Sequence, residues 1–140
     1  MLVFLPMLLI TGCSTNKATG NQSFTAFMSE KKERQVGAEE HPKIMKEFGG
    51  AYGGLRLRTY VNNIGKDLAK VTEVPDLHYK FTILNDEKVN AFALPGGYVY
   101  ITRGLLALAE NEAEIAGVLA HEIAHITARH SAQRYSASMA

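Results

Sequence analysis

The chain has 140 residues, of which 46% are hydrophobic and 21% are charged, a composition typical of one folded globular domain. This composition excludes an intrinsically disordered chain and a polytopic membrane protein. The formal net charge is only +1, from 15 Lys and Arg against 14 Asp and Glu, so we expect no nucleic-acid partner.

The N-terminal segment MLVFLPMLLITG is apolar, about as long as a signal-peptide core and too short to span a membrane. It ends at Gly12, directly before Cys13, the single cysteine of the sequence. The stretch ITGC resembles a bacterial lipobox, which implies that residues 1–12 are a lipoprotein signal peptide and that Cys13 is lipidated. An ordinary cleaved secretory signal, or a buried N-terminal strand with an incidental thiol, are the alternatives. No Lys or Arg precedes Lys17, so the usual positive region of a signal peptide is missing.

Residues 13–28 are rich in Ser, Thr, Asn and Gly and have no periodic apolar pattern, which predicts a flexible tether. Such a tether would hold a folded domain of residues 29–140 away from a membrane. By resemblance to the bacterial sorting pattern, Ser14 after the cysteine favours the outer membrane. The expected location is therefore the bacterial cell envelope, on the periplasmic side and lipid-anchored.

Two helices are predicted before the first strand. The segment EKKERQVGAEEHPKIMKEFGG carries charges of both signs and predicts a solvated helix, disturbed around Pro42 and stopped at Gly49. The next helix is amphipathic and ends before Pro75. Its predicted core face consists of Leu57, Val61, Ile64, Leu68 and Val71.

Three strands are predicted next. LHYKFTIL alternates as a half-buried strand does, with His78 on the exposed side. VNAFALPGGYVYITRG predicts two further strands joined by a tight turn at Pro95, Gly96 and Gly97. A short apolar turn or helix, LLALAE, follows them.

A long apolar helix is predicted after Asn111, which forms a capping-box signature with Glu114. Its apolar side chains cover most of the circumference, so we expect it to run through the core. These side chains are Ile115, Val118, Leu119, Ile123 and Ile126, with alanines between them.

Three ionisable side chains interrupt this helix in the order His-Glu-x-x-His. At about 100° per residue, His121 and His125 lie roughly 40° apart on successive turns, so both imidazoles can reach one point. Imidazole nitrogens suit zinc, and Glu122 on the same side can take a proton from a water at an open coordination position. The motif is that of zinc metalloproteases. Two satisfied histidines and one ion pair in a structural helix are the alternative, but burying three titratable groups without a metal carries a desolvation cost.

The stretch from Asn90 to His130 closely resembles the zinc metallopeptidase family that includes the heat-shock membrane protease HtpX and the CAAX prenyl endopeptidases. Within it, the chain looks most like the periplasmic lipoprotein branch of the β-barrel assembly-enhancing proteases. The resemblance implies a compact α+β gluzincin domain with the metal helix packed on a small sheet. It implies one Zn²⁺ per chain, His121 and His125 as ligands, Glu122 as the catalytic base, and a cleft lined by the strand around Ala91 to Leu94.

The ligand count is incomplete, because a catalytic zinc of this type takes three protein ligands and the helix supplies two. On a continuous helix His130 would lie roughly 180° around the axis from His121, so it could share the metal only after a sharp break. In the resembling family the third ligand is a Glu from a later helix, and SAQRYSASMA contains no Asp or Glu. We therefore expect residues 29–140 to be the N-terminal portion of a zinc metallopeptidase domain that is truncated at the C-terminus, with the third ligand beyond Ala140. For the 140 residues alone we expect weak zinc binding without turnover.

The predicted function is a zinc-dependent endopeptidase in envelope protein quality control, with unfolded or misassembled envelope proteins as substrates and the membrane as a partner through the lipid anchor. Two other functions stay open. One is a chaperone-like outer-membrane assembly factor with little proteolysis. The other is a structural metal-binding lipoprotein, which would need a fourth protein ligand.

Overall fold

The computed structural model describes residues 13–15, 22–24 and 28–139, so the predicted signal peptide of residues 1–12 lies outside the described residues. The described elements combine helices with a small mixed sheet, which confirms the α+β class. In the described part of the chain, no helix is both long and apolar enough to cross a membrane. The elements in chain order are β1 (Cys13–Thr15), β2 (Gln22–Phe24), α1 (Glu30–Glu47), α2 (Leu55–Ala69), β3 (Lys80–Leu84), β4 (Ala91–Leu94), β5 (Tyr98–Thr102), α3 (Arg103–Leu108), α4 (Glu112–Thr127) and α5 (His130–Met139).

The main sheet has three strands in the order β3-β5-β4. β5 pairs with β3 in parallel and with β4 in an antiparallel hairpin. The predicted turn joins the hairpin, and Gly96 and Gly97 have φ values of 83° and 99°, which glycine adopts without strain. The hairpin therefore leaves β4 at the edge of the three-stranded sheet.

The two faces of this sheet are covered by different helices. One face is aliphatic and packs against α2 and α4, in a core built from Val61, Ile83, Val99, Ile101, Ile115, Leu119 and Ile123. The other face carries aromatic rings that contact α1 and its C-cap. The Phe48 ring is tilted against Phe92 with centroids 5.3 Å apart, and His41 lies beside Tyr98 and Tyr100. Gly37 allows the close approach of α1, since a Cβ at this position would clash with the Pro95 carbonyl and the Tyr98 ring.

Two expectations about helix burial are corrected. Val71 is 84% exposed because α2 ends at Ala69, two residues before it, so the apolar periodicity extends past the helix. α4 does not run through the core on all sides. It buries Ile115, Leu119 and Ile123, whereas Gly117, His121 and Ala124 are exposed.

The segment predicted as a tether, residues 13–28, contains regular structure in its described residues. β1 pairs antiparallel with β2, with Cys13 opposite Phe24, and β2 contacts α5. Apolar periodicity could not predict this pairing, because strands of three residues are too short to show a periodic pattern.

Candidate metal centre

Helix α4 carries the His-Glu-x-x-His motif and is fixed at its first turn by a side-chain cap. Asn111 Oδ1 accepts a hydrogen bond from the Glu114 backbone N–H at 3.0 Å, as the capping signature predicts. The Glu114 carboxylate returns to the backbone N–H of Glu110, at 2.9 Å, and not to that of Asn111. The cap fixes the start of the helix nearly three turns before the motif.

His121 and His125 converge as their spacing predicts. Their Nε2 atoms lie 3.1 Å apart, and the two rings are nearly perpendicular, at 86°. Two imidazole nitrogens bound to one tetrahedral zinc at about 2.0–2.1 Å lie roughly 3.3 Å from each other. The two Nε2 atoms are therefore of the kind that zinc binds, and their separation is close to that of two imidazole ligands on one zinc ion.

Glu122 lies beside this pair and is buried, with 9% of its surface exposed. Burial raises the pKa of the Glu122 carboxyl above its usual value, while His121 and His125 act in the opposite direction. A carboxyl with a raised pKa exchanges a proton more readily near neutral pH than an exposed one does. Its setting suits the role of general base.

The predicted third ligand is not among the described residues near the motif. Within residues 13–15, 22–24 and 28–139, no group of three or more His, Cys, Asp or Glu side chains is arranged to hold a metal ion. The location of the third ligand therefore stays a prediction.

His130 lies against the motif, contrary to its place on a continuous helix. α4 ends at Thr127, Arg129 has φ 53°, and α5 begins at His130. This break brings His130 Nδ1 to 2.7 Å from His125 Nδ1. The sequence contains no Gly, Pro or Asn at the break, and a positive φ at a residue such as Arg is uncommon, so the usual signals did not reveal it.

The break is held by Arg129. Its Nη2 donates to the Met28 carbonyl at 2.6 Å, and its Nε pairs with Glu33 Oε1 at 3.1 Å. Burial raises the pKa of the Glu33 carboxyl above its usual value, although the charge and hydrogen bond of Arg129 lower it. The first turn of α1 is thereby tied to the junction of α4 and α5.

A cleft of about 160 Å³ joins the motif to the sheet edge. Its lining includes Phe92, Ala93 and Leu94 of β4 together with Glu122 and His125 of α4. The strand that the family resemblance implied as a cleft wall therefore lies at the site. A larger cavity of about 500 Å³ contacts the Arg129–Glu33 pair but none of the three motif residues, so we assign it no part in the site.

Residues 56–140, more than half of the chain, match the profile of Peptidase family M48. The chain belongs to this family. The matched region contains His121, Glu122 and His125, so the family assignment and the converging imidazoles concern the same residues. The family predicted from the motif and its flanking strands is confirmed.

Three curated relatives carry protease names. The chain is 35% identical over 106 residues to the mitochondrial metalloendopeptidase OMA1 of Schizosaccharomyces pombe, covering 73% of this chain and 31% of that protein. It is 44% identical over 62 residues to the OMA1 of Saccharomyces cerevisiae, covering 43% and 18%. It is 36% identical over 77 residues to the beta-barrel assembly-enhancing protease of Escherichia coli K12, covering 55% and 16%. The chain thus spans less than a third of the length of these relatives.

Proposed function

We propose that the protein is a zinc-dependent endopeptidase. The observation that carries this proposal is the 3.1 Å approach of the two Nε2 atoms of His121 and His125, with buried Glu122 beside them. A bound zinc with an open position lowers the pKa of a water there to near 7. His121 and His125 would hold the ion, and Glu122 would accept a proton from the activated water as it attacks the peptide carbonyl and then deliver it to the nitrogen of the departing amine.

The substrate is proposed to bind as an extended peptide along β4. This strand pairs with β5 on one side and lies at the edge of the three-stranded sheet. An extended peptide added to such an edge gains backbone hydrogen bonds that do not depend on its sequence. The cleft between β4 and α4 then presents the peptide to Glu122 and His125. This mode of binding suits unfolded chains, which can adopt the extended conformation.

The third zinc ligand is proposed to come from a residue beyond Ala140. Support comes from the chemistry of catalytic zinc, which takes three protein ligands, and from relatives that are more than three times as long as the aligned region. A Glu from a later helix, as the family resemblance implies, would complete the set. The 140 residues alone are then expected to bind zinc weakly and to be inactive.

The cellular role is proposed to be quality control of unfolded or misassembled envelope proteins. One relative is named for β-barrel assembly, which supports a place in the bacterial envelope. Lipidation of Cys13 and anchoring on the periplasmic side of the outer membrane belong to the same proposal, and they rest on the ITGC pattern and Ser14. Intact mass of the membrane-extracted protein tests the anchor: an unmodified Cys13, or a mature terminus at another residue, contradicts it.

The catalytic proposal is tested by digestion of casein and of an unfolded outer-membrane β-barrel protein. We expect the whole protein to cleave both substrates. Cleavage should stop after treatment with a zinc chelator and should recover when zinc is added back. Glu122→Gln should retain zinc and lose about 100-fold to 10,000-fold in rate, the range that general acid–base groups contribute. Exposed Glu87, which lies outside the cleft lining, offers the matched control Glu87→Gln with unchanged rate.

Two results would contradict the proposal. Cleavage by Glu122→Gln at the rate of the unmodified protein would remove Glu122 from the mechanism. Stable binding of the unfolded barrel protein without cleavage, with zinc bound, would favour the chaperone-like function instead.

A further inference from the structure

We propose that His130 is a positioning residue for the metal centre: its Nδ1 accepts a hydrogen bond from the Nδ1–H of His125 and so directs the lone pair of His125 Nε2 towards the metal. The 2.7 Å separation of the two Nδ1 atoms carries this inference. The inference rests on the proposed zinc function and adds a residue that the motif does not contain.

The tautomer of His125 follows from its two contacts. A neutral imidazole carries one proton, and a nitrogen that binds a metal must offer a lone pair. Since His125 Nε2 faces His121 Nε2, the proton belongs on Nδ1, which then needs an acceptor. His130 Nδ1 lies 2.7 Å from His125 Nδ1, within hydrogen-bonding distance, and as the acceptor it must carry its own proton on Nε2.

His130 is not itself a ligand of the same ion. It contacts the Nδ1 side of the His125 ring, whereas His121 contacts the Nε2 side. The ring of His125 therefore lies between His130 and the point where the two Nε2 atoms converge. Outer partners of this kind hold a ligand ring in orientation and raise its basicity.

The contact exists only because the helix breaks. Five residues at about 100° each would turn His130 roughly 140° away from His125 on a continuous helix. The positive φ of Arg129 redirects the chain, and the contacts of Arg129 with Glu33 and the Met28 carbonyl hold it there. The Gln133 side chain also donates to the Ala128 carbonyl at 2.7 Å, which satisfies one acceptor at the end of α4. A strained backbone held by several contacts is typical of a functional position.

Two substitutions separate a hydrogen-bond role from a packing role. His130→Asn keeps an acceptor, since Oδ1 of Asn stands about where Nδ1 of His stands, whereas His130→Leu fills similar space without an acceptor. His78 is exposed and precedes β3, so His78→Leu is the matched control for loss of one histidine. All variants are made in the whole protein.

The first measurement is zinc affinity by competition with a chromophoric chelator. We expect His130→Leu to weaken zinc binding by about 10-fold to 100-fold, as loss of an outer partner does. We expect His130→Asn to stay within about threefold of the unmodified protein and His78→Leu to be unchanged. Equal losses in the Leu and Asn variants, or none in His130→Leu, would overturn the hydrogen-bond role.

The second measurement uses the Co²⁺-substituted protein, in which NMR shows the exchangeable ring N–H protons of ligand histidines far downfield. The His125 Nδ1–H signal should persist in His130→Asn and be lost to solvent exchange in His130→Leu. The Co²⁺ absorption spectrum should show the same coordination number in both variants as in the unmodified protein. A change of coordination number would make His130 a ligand and overturn the proposal. Failure of the proposed function is distinguishable, because the unmodified protein itself would then bind no zinc or cleave no peptide.

Discussion

Two clusters, each centred on one histidine, lie on different parts of this domain, and in each the central ring has both nitrogens in contact with a partner. His41 of α1 has its Nδ1 2.7 Å from the Tyr100 hydroxyl and its Nε2 3.0 Å from the Lys80 ammonium. His125 of α4 has other imidazoles at both nitrogens. The residue type and the number of contacts are alike in the two clusters, and the chemistry of the partners differs.

The partners decide what each cluster can bind. An ammonium only donates, so His41 Nε2 accepts from Lys80 and the ring proton lies on Nδ1, where it donates to Tyr100. The positive charge of Lys80 then occupies the side from which a metal would approach. At His125, in contrast, a second imidazole nitrogen faces Nε2, and the two nitrogens can share one cation. The number of contacts to the ring nitrogens alone would not separate these cases.

The largest expected effect tests this contrast directly. His125→Leu removes one of the two converging donors, so zinc binding by the whole protein should weaken by more than the roughly 100-fold that loss of an outer partner reaches. His41→Leu should leave zinc affinity within about threefold, because the Lys80 ammonium covers its Nε2. Zinc competition titrations measure both variants. Comparable losses in the two proteins would show that the clusters are not distinct.

An intermediate effect is expected at the ion pair that holds the break beside the metal centre. Arg129→Met leaves the half-buried Glu33 carboxylate without its partner and should cost about 2–3 kcal/mol of stability. Glu33→Gln removes the carboxylate charge but keeps a hydrogen-bond acceptor for Arg129, whose Nη2 still donates to the Met28 carbonyl, so it should change stability by less than about 1 kcal/mol.

The physical reason for this asymmetry is that burial raises the pKa of Glu33 more than Arg129 lowers it, so folding disfavours the charged carboxylate relative to the unfolded chain even with Arg129 in place. Met and Arg experience the same backbone strain at φ 53°, so the Arg129→Met comparison isolates the side chain. Urea denaturation with matched slopes measures the two variants. A larger loss for Glu33→Gln than for Arg129→Met would reverse the interpretation.

The smallest effect is expected at His41. Its pKa lies below the usual value, first because the ring is partly buried and second because Lys80 repels the imidazolium. Lys80→Met should therefore raise the pKa of His41 towards the ordinary value without reaching it, since burial remains. NMR titration of the His41 ring protons measures the change, and Lys70→Met, which removes an exposed lysine bridged to Asp67, is the matched control. A lower pKa in Lys80→Met would contradict the assigned contact.

The lowered pKa of His41 also determines how this residue makes the stability of the folded protein depend on pH. Between the folded pKa and the unfolded value of 6.5, the unfolded chain binds more protons than the folded one. The contribution of His41 to stability is therefore complete above pH 6.5 and is lost as the pH falls through that window. His41→Asn should lessen the loss of stability on acidification, which denaturation at pH 7 and at pH values below 6.5 can measure.

The features that depend on neighbours a few residues apart could be predicted from the amino-acid sequence. The convergence of His121 and His125 follows from a spacing of four on a helix, and the Asn111 cap and the Pro95–Gly97 turn follow from side-chain and backbone preferences at single positions. The family assignment rested on the same local pattern and was confirmed over residues 56–140.

The features that depend on residues far apart in the chain could not be predicted from the sequence, because they are set by packing between distant segments. The break before His130 is held by an Arg129–Glu33 pair separated by 96 positions, and the His41–Tyr100 contact joins residues 59 positions apart. The parallel pairing of β3 with β5 and the exposure of Val71 are likewise set by packing. Helical periodicity is a property of a few consecutive residues, whereas a strained φ at Arg129 becomes stable only when the folded chain supplies distant partners.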